Sequence, residues 1–200
     1  MKKLIFTFLF CGLFLMACSN GDSESKTGFF SNIKNKFSSI KKSYIASKQD
    51  ITKIDDIFSQ GLYAQAYDMY FDLASKGNAQ AEYKLGAMLA MGQGINKNMV
   101  EAIKWWQLAA EHGNQIAQYN LGVLYSKGEG VALDTQAALK WFEQSAQQGF
   151  ASAQYALGVI YMDGVGVVKN EQVGLQWMQK AAAQGDQQAI AELKSLGVQQ

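Results

Sequence analysis

The side chains that could carry out chemistry are few in this chain. One histidine, His112, and two cysteines, Cys11 and Cys18, are present among 200 residues. They are too few for a structural zinc site, and a Ser–His–Asp arrangement would depend on His112 alone. Asp68 and Asp72 share one face of a predicted helix, but no histidine or third acid lies beside them, which indicates a solvated surface. The sequence therefore predicts no catalytic residue, no cofactor, no metal site and a protein that is not an enzyme.

Three Gly-x-Gly sequences could suggest a phosphate-binding loop. They are Gly92-Gln93-Gly94, Gly128-Glu129-Gly130 and Gly164-Val165-Gly166. A phosphate-binding loop needs a strand before it and a Lys-Ser/Thr pair after it. Neither accompanies these glycines, and all three pairs lie between predicted helices. We interpret them as turns, because glycine enters the left-handed backbone region at low steric cost.

The composition excludes some classes of partner. The net charge is +1, and all 18 basic residues are lysines. Without arginine, the planar fork that reads phosphate or guanine is missing, and a near-neutral chain does not attract polyanions. The sequence therefore predicts no nucleic-acid partner.

A period of 36 residues organises most of the chain. The residues that recur on it are Gly77, Gly113, Gly149 and Gly185; Ala81, Ala117, Ala153 and Ala189; Leu85, Leu121, Leu157 and Leu193; and Trp105, Trp141 and Trp177. Each unit carries two apolar stripes at helical spacing. One helix pair cannot bury both of its faces, so the units must stack. The sequence predicts an all-α fold, a right-handed α-solenoid of stacked antiparallel helix pairs.

The units have defined boundaries. A degenerate first repeat covers 51–77, three full repeats cover 78–113, 114–149 and 150–185, and a C-terminal capping helix covers 186–200.

Several recurring residues have predicted local roles. Asn98, Asp134 and Asn170 are in register as N-caps of the second helices, and Glu101 could complete a capping box with Asn98. The glycines that close each unit fit the position just after a second helix. His112 falls in the last turn of a second helix, where a polar group suits the helix dipole. The recurring tryptophans are expected to fill the space between neighbouring units.

The repeat resembles the Sel-one-like repeat, a relative of the tetratricopeptide repeat, over roughly residues 61–197. The resemblance is carried by Ala-x-x-x-Leu-Gly, Gly-x-Gly-Val/Ile, Asn/Asp-x-x-x-Ala-x-x-Trp and Ala-Ala-x-x-Gly. It implies an adaptor or scaffold in protein complexes, and the family includes bacterial envelope members that neutralise toxins. Disulfide-rich relatives that handle penicillins use a cysteine pair in each repeat, which this chain lacks. The alternatives left open are an envelope hydrolase of a β-lactamase-like type and a binder of peptidoglycan fragments or small molecules.

The N-terminus resembles that of a bacterial lipoprotein. Lys2 and Lys3 precede an apolar run over 4–15, which is too short to span a bilayer and fits a signal peptide. The sequence Leu15-Met16-Ala17-Cys18 then resembles a lipobox, which implies a signal peptide over 1–17 and a lipidated Cys18. Ser19 after the cysteine suggests the periplasmic face of the outer membrane. An ordinary signal peptide cleaved near Ala17, or a weak signal anchor, is the alternative.

Two segments separate this terminus from the repeats. Residues 18–28 form a predicted flexible tether rich in Ser, Asp, Asn and Gly. Residues 29–50 form a basic amphipathic segment, with an apolar residue at steps of three and four. The segment could contact an anionic membrane, dock on the first repeat or stay disordered.

Partner binding is predicted on the first helix of each repeat. By comparison with tetratricopeptide geometry, Tyr83, Tyr119 and Tyr155 would face a ligand, joined by Lys84 and Asn120. The same tyrosines could instead pack the repeat core. The expected partner is a protein of unknown identity, and the sequence does not fix an oligomeric state.

Overall fold

The computed structural model describes residue 48 and residues 50–198. The predicted signal peptide, Cys18, the tether and most of 29–50 lie outside these residues. Within them, nine α-helices and no strand are present. The helices are α1 (50–59), α2 (Tyr63–Ala74), α3 (Ala79–Met91), α4 (Met99–Glu111), α5 (Gln115–Lys127), α6 (Thr135–Gln147), α7 (Ala151–Asp163), α8 (Glu171–Ala182) and α9 (Gln187–Ser195).

The helices stack in chain order, which confirms the predicted all-α solenoid. From α2 to α9, consecutive helices pack against each other. The tightest contacts join α3 to α4, α5 to α6, and α7 to α8. None of the described helices is long and apolar enough to cross a membrane.

The helix ends follow the predicted capping chemistry. The side chains of Asn98, Asp134 and Asn170 accept hydrogen bonds from backbone N–H groups in the first turns of α4, α6 and α8. Gly113, Gly149 and Gly185 adopt φ angles of 88°, 93° and 86° after these helices. The capping box of α4 differs from the prediction. Glu101 accepts a hydrogen bond from the Asn98 side-chain amide at 3.1 Å, because the Asn98 backbone N–H donates to Leu89 instead.

The second glycine of each Gly-x-Gly turn is also a contact between repeats. A Cβ atom at Gly94 would lie 2.5 Å from the Tyr63 backbone carbon, and one at Gly166 would lie 2.5 Å from Thr135 Cγ2. Both partners stand at the start of the second helix of the preceding unit. The turn therefore combines a positive φ with close packing, which only glycine satisfies.

The core is shared between units. Each of the last three buried clusters joins a second helix to the first helix of the next unit, as α4 joins α5, α6 joins α7, and α8 joins α9. The helix pairs are consequently held together by common apolar cores rather than by surface contacts.

The recurring tryptophans pack between neighbouring units, as predicted, but they are not the residues that are fully buried in the core. Trp105, Trp141 and Trp177 do pack against the cluster of the preceding unit, but each is only partly buried. The buried side chains are the next residues along the chain, which are Trp106, Phe142 and Met178. These three face glycines of the first helices, and a Cβ atom at Gly86 would come within 2.6 Å of Trp106, at Gly122 within 2.7 Å of Phe142, and at Gly158 within 2.5 Å of Met178.

Two departures from the repeat pattern have structural reasons. A Cβ atom at Gly174 would lie 2.9 Å from the Gly158 carbonyl oxygen, so this glycine allows α7 and α8 to approach closely. Ser145 stands where Ala109 stands in the first full repeat and is fully buried. Its hydroxyl donates a hydrogen bond to the Gln115 carbonyl at 2.7 Å, which satisfies the polar group.

Candidate functional site

The three predicted tyrosines lie one per repeat on the first helices. Tyr83, Tyr119 and Tyr155 are on α3, α5 and α7, and all three are half-buried. Each ring packs against the buried cluster that its repeat shares with the next unit. One part of each ring therefore supports the core while another part faces solvent.

Tyr119 has the most extensive aromatic contacts of the three. Its ring centroid lies 5.8 Å from that of Phe142 and 5.3 Å from that of Phe150. Phe150 occupies the N-cap position of α7 and makes no side-chain capping bond, whereas Asn114 and Asp186 cap the equivalent helices. The chain thus places an aromatic ring against Tyr119 where its repeats otherwise place a helix cap.

Burial and carboxylate charge both act on the hydroxyl groups of Tyr119 and Tyr155. Burial raises the pKa of Tyr119, and the charge of Asp186 raises it further. Burial also raises the pKa of Tyr155, followed by the charges of Glu192 and Asp186. Both tyrosines therefore remain protonated at neutral pH and can donate hydrogen bonds.

The other two predicted residues have different surroundings. Lys84 Nζ lies 3.0 Å from the Asp55 carboxylate, which also accepts a hydrogen bond from the buried Tyr70 hydroxyl. Lys84 therefore links α3 to α1 as well as bordering the tyrosines. Asn120 is half-buried next to Tyr119 on α5.

Sequence reasoning missed three contributors to this surface, namely Phe150, Asp186 and Glu192. The repeat register could have found two of them. One position of the repeat is occupied, at intervals of 36 residues, by Lys84, Asn120, Ala156 and Glu192. Asp186 stands one period after Phe150. The position that carries a lysine in the first full repeat therefore carries a carboxylate in the C-terminal helix. We call the following residues the "first-helix surface": Tyr83, Lys84, Tyr119, Asn120, Tyr155, Phe150, Asp186 and Glu192.

The side chains considered for chemistry are in structural or solvated positions. His112 Nδ1 lies 2.8 Å from the carboxylate of Glu82, which is 1% exposed. Asp72 pairs with Lys76 at 2.7 Å on an exposed face. Asp68 and Asp72 border an open cleft of about 390 Å³ between α1 and α2, which Asp50, Lys53 and Lys76 also line. Over residues 50–198, no group of three or more His, Cys, Asp or Glu side chains could hold a metal ion.

The pair formed by Glu82 and His112 belongs to a series that the period repeats. Gln148 Nε2 donates to Gln118 Oε1 at 2.7 Å, and Gln184 Nε2 donates to Gln154 Oε1 at the same distance. The three pairs connect the end of each second helix to the first helix of its own repeat. His112 therefore holds together the two helices of the first full repeat.

The comparison with known protein families agrees with this architecture. A family model described as the Sel1 repeat matches residues 79–114, 115–150 and 151–186, which together are more than half of the chain. The chain belongs to the Sel1 repeat family. The matched repeats begin one residue after the units read from the sequence. Sel1 repeats form helical scaffolds, which is consistent with protein–protein interaction. None of the curated proteins compared with the chain matches it.

Solved structures carry the same fold. A Sel1 repeat protein from Oxalobacter formigenes is 38% identical over 63% of this chain and 95% of its own length, with a TM-score of 0.61. A protective antigen from uropathogenic Escherichia coli strains with an SLR fold is 36% identical over 68% of this chain, with a TM-score of 0.61. The match covers 30% of that longer chain. Cysteine-rich protein B from Helicobacter pylori, at 21% identity and a TM-score of 0.50, shows the fold alone.

Proposed function

We propose that this Sel1 repeat protein is a non-enzymatic scaffold that binds another protein on its first-helix surface, centred on Tyr119 and Tyr155. The observation that supports this most is the position of the two rings, which are half-buried, with Tyr119 held against Phe142 and Phe150. Tyrosine anchors of this kind supply a large contact area and a hydrogen bond at a small cost in conformational entropy.

The aromatic support of Tyr119 favours a binding role over packing alone. Phe150 replaces a capping side chain whose loss costs about 1 kcal/mol of stability. In return its ring contacts Tyr119. A ring that is already fixed before the partner binds loses less conformational entropy on binding. Phe150 therefore makes the N-terminus of α7 less stable but makes Tyr119 a more rigid contact for a partner.

The charges at this end of the surface favour a particular partner chemistry. Asp186 and Glu192 act on the tyrosine hydroxyls. The described lysine on the same surface, Lys84, pairs with Asp55 at the opposite end. A partner segment with an apolar side chain for the exposed part of the Tyr119 ring and a lysine or arginine for the carboxylates would match this arrangement.

Photo-crosslinking in intact cells tests the binding surface. A photoreactive amino acid at Asn120 should give a discrete adduct with one protein, which mass spectrometry identifies. We expect Tyr119→Phe and Glu192→Gln to reduce the adduct about tenfold when combined, because both remove polar contacts while keeping the packed shapes. The melting temperature of the double variant should remain close to that of the parent.

A photoreactive group at Gln172 provides the matched control, since this residue is exposed on the second helix α8. It should not give the same adduct. An adduct at Asn120 that persists unchanged in the double variant would contradict the proposed site.

The proposal includes anchoring at the periplasmic face of the outer membrane through Cys18. Its support is the lipobox-like sequence Leu15-Met16-Ala17-Cys18 and the serine that follows it. More than one acyl chain is needed for stable anchoring, and lipoprotein processing would supply them. We expect Cys18→Ala to release the protein into the soluble periplasmic fraction, measured by detergent-free fractionation. A variant that still sediments wholly with membranes would refute the anchor.

Immunity against a periplasmic toxin is a narrower form of the same proposal. It is supported by the family resemblance alone, and it requires that the crosslinked protein is a toxin. Loss of the Asn120 adduct in the double variant should then coincide with loss of protection when the toxin is expressed in the periplasm.

A further inference from the structure

An exposed apolar patch lies on the second helices at the N-terminal end of the repeats. The "α4 patch" consists of Val100, Trp105 and Leu108 on α4 together with Phe71 on α2. Val100 is 68% exposed, Phe71 46% and Leu108 40%. The partly buried Trp105 meets the Phe71 ring edge-on, with 6.0 Å between the ring centroids.

The other repeats show that the fold does not require this patch. Residues one period apart occupy the same place in successive units. The positions equivalent to Val100 carry Gln136 and Gln172, and those equivalent to Leu108 carry Gln144 and Lys180. The positions equivalent to Phe71 carry Gln107, Glu143 and Gln179. These three positions are therefore polar in every later full repeat, whereas Trp105 recurs as Trp141 and Trp177. Clustered exposed apolar residues that the architecture does not need are typical of an interaction surface.

Charged residues beside the patch are arranged so that a second copy of the chain complements them. Glu101 and Lys104 border the same open groove as Val100, Trp105 and Leu108, with a volume of about 400 Å³. If two α4 helices cross antiparallel about a twofold axis, Glu101 can face Lys104 of the partner subunit, and the reciprocal pair forms at the same time. Val100 then faces Trp105 of the partner subunit. An isologous interface requires this kind of self-complementarity.

We propose that the α4 patch is the interface of a homodimer in which the α4 helices of two copies pack antiparallel. This proposal is independent of the first-helix surface, which lies on other helices. The interface is small, because it is built from one helix of each copy and its neighbour. We therefore expect a reversible dimer with a dissociation constant on the order of micromolar.

Charge-swap variants of the full chain, purified in detergent, test the pairing by sedimentation equilibrium. Glu101→Lys and Lys104→Glu alone should each weaken the dimer by about tenfold, because each places like charges opposite one another twice. The double variant Glu101→Lys/Lys104→Glu restores opposite charges and should recover the parent association constant within about threefold. Lys140→Glu, at the same position in the next repeat, should leave association unchanged.

Removal of the apolar residues provides a second test. Val100→Gln/Leu108→Gln introduces the residue that the second full repeat carries at each position, so the fold should tolerate it and the melting temperature should stay constant. We expect this variant to be monomeric where the parent is a dimer. A parent chain that remains monomeric, a dimer insensitive to these substitutions, or a charge-swap double variant that does not recover would each overturn the proposal and leave the patch to another protein or a lipid surface.

Discussion

Trp106→Ala should lower the free energy of unfolding by about 3–5 kcal/mol. The indole is 9% exposed and packs against Gly86, while its Nε1–H donates a hydrogen bond to the Tyr83 carbonyl at 3.3 Å. Truncation would leave a cavity between α3 and α4 that the backbone cannot close, because the neighbouring helices also hold the next unit. Chemical denaturation of the purified protein measures the loss as a shift of the midpoint at constant slope.

Two variants serve as controls for this prediction. Trp105→Ala should cost only about 1–2 kcal/mol, because that ring is partly exposed and its aromatic contact is with the exposed Phe71. Trp106→Phe should lose less than half as much as Trp106→Ala, since Phe142 fills the equivalent space beside Gly122. A loss at Trp105 equal to that at Trp106 would show that the core had been assigned wrongly.

The two tryptophans also show where sequence reasoning stopped. The period identifies Trp105, Trp141 and Trp177 because they are identical, and identical large side chains predict packing between units. The buried position varies between Trp106, Phe142 and Met178, because a glycine on the facing helix leaves room that any large apolar side chain can fill. Helical periodicity alone does not separate adjacent residues, and contact with the facing helix decides which one is buried.

The first helix illustrates a second limit. The period places the turn between the two helices of the degenerate repeat at residues 56–58. Instead, α1 continues to residue 59, and a short loop over 60–62 leads into α2. The cause is local, since Asp56 and Phe58 stand where later repeats have Gly92 and Gly94. Without a glycine to enter the left-handed region, the helix continues to residue 59, and the chain reverses in the loop at Gly61, which has a φ of 80°.

The candidate site was predictable in part. The spacing of Tyr83, Tyr119 and Tyr155 puts one ring on each first helix, because equal spacing in a repeat gives equivalent positions. The register also reaches Glu192, but the ring contact of Phe150 with Tyr119 was not predictable, because Phe150 departs from the repeat and its contact forms between units. Whether a tyrosine packs or binds depends on those contacts and not on its register.

The pair formed by Glu82 and His112 leads to the other large expected effect. His112→Ala should lower the free energy of unfolding by about 2–3 kcal/mol. This loss is smaller than the usual cost of breaking a buried ion pair, because the His112 side chain is 46% exposed. The Glu82 carboxylate has 2% of its side chain exposed and accepts from Nδ1 through both oxygens. Without the imidazole, this buried group would lose its hydrogen-bond donor.

The neighbouring repeats supply the compensating change. Glu82→Gln/His112→Gln reproduces the Gln118–Gln148 pair, in which the buried amide accepts from its partner and donates to the Ala110 carbonyl at 2.9 Å. We expect this double variant to be at least as stable as the parent, because both polar groups are satisfied and no carboxylate is buried. Glu82→Gln should also reduce the cost of His112→Ala to about 1 kcal/mol, since the remaining amide is neutral. A double-mutant cycle by chemical denaturation would then give a coupling of about 1–2 kcal/mol, whereas additive losses would show that His112 does not stabilise the repeat through Glu82.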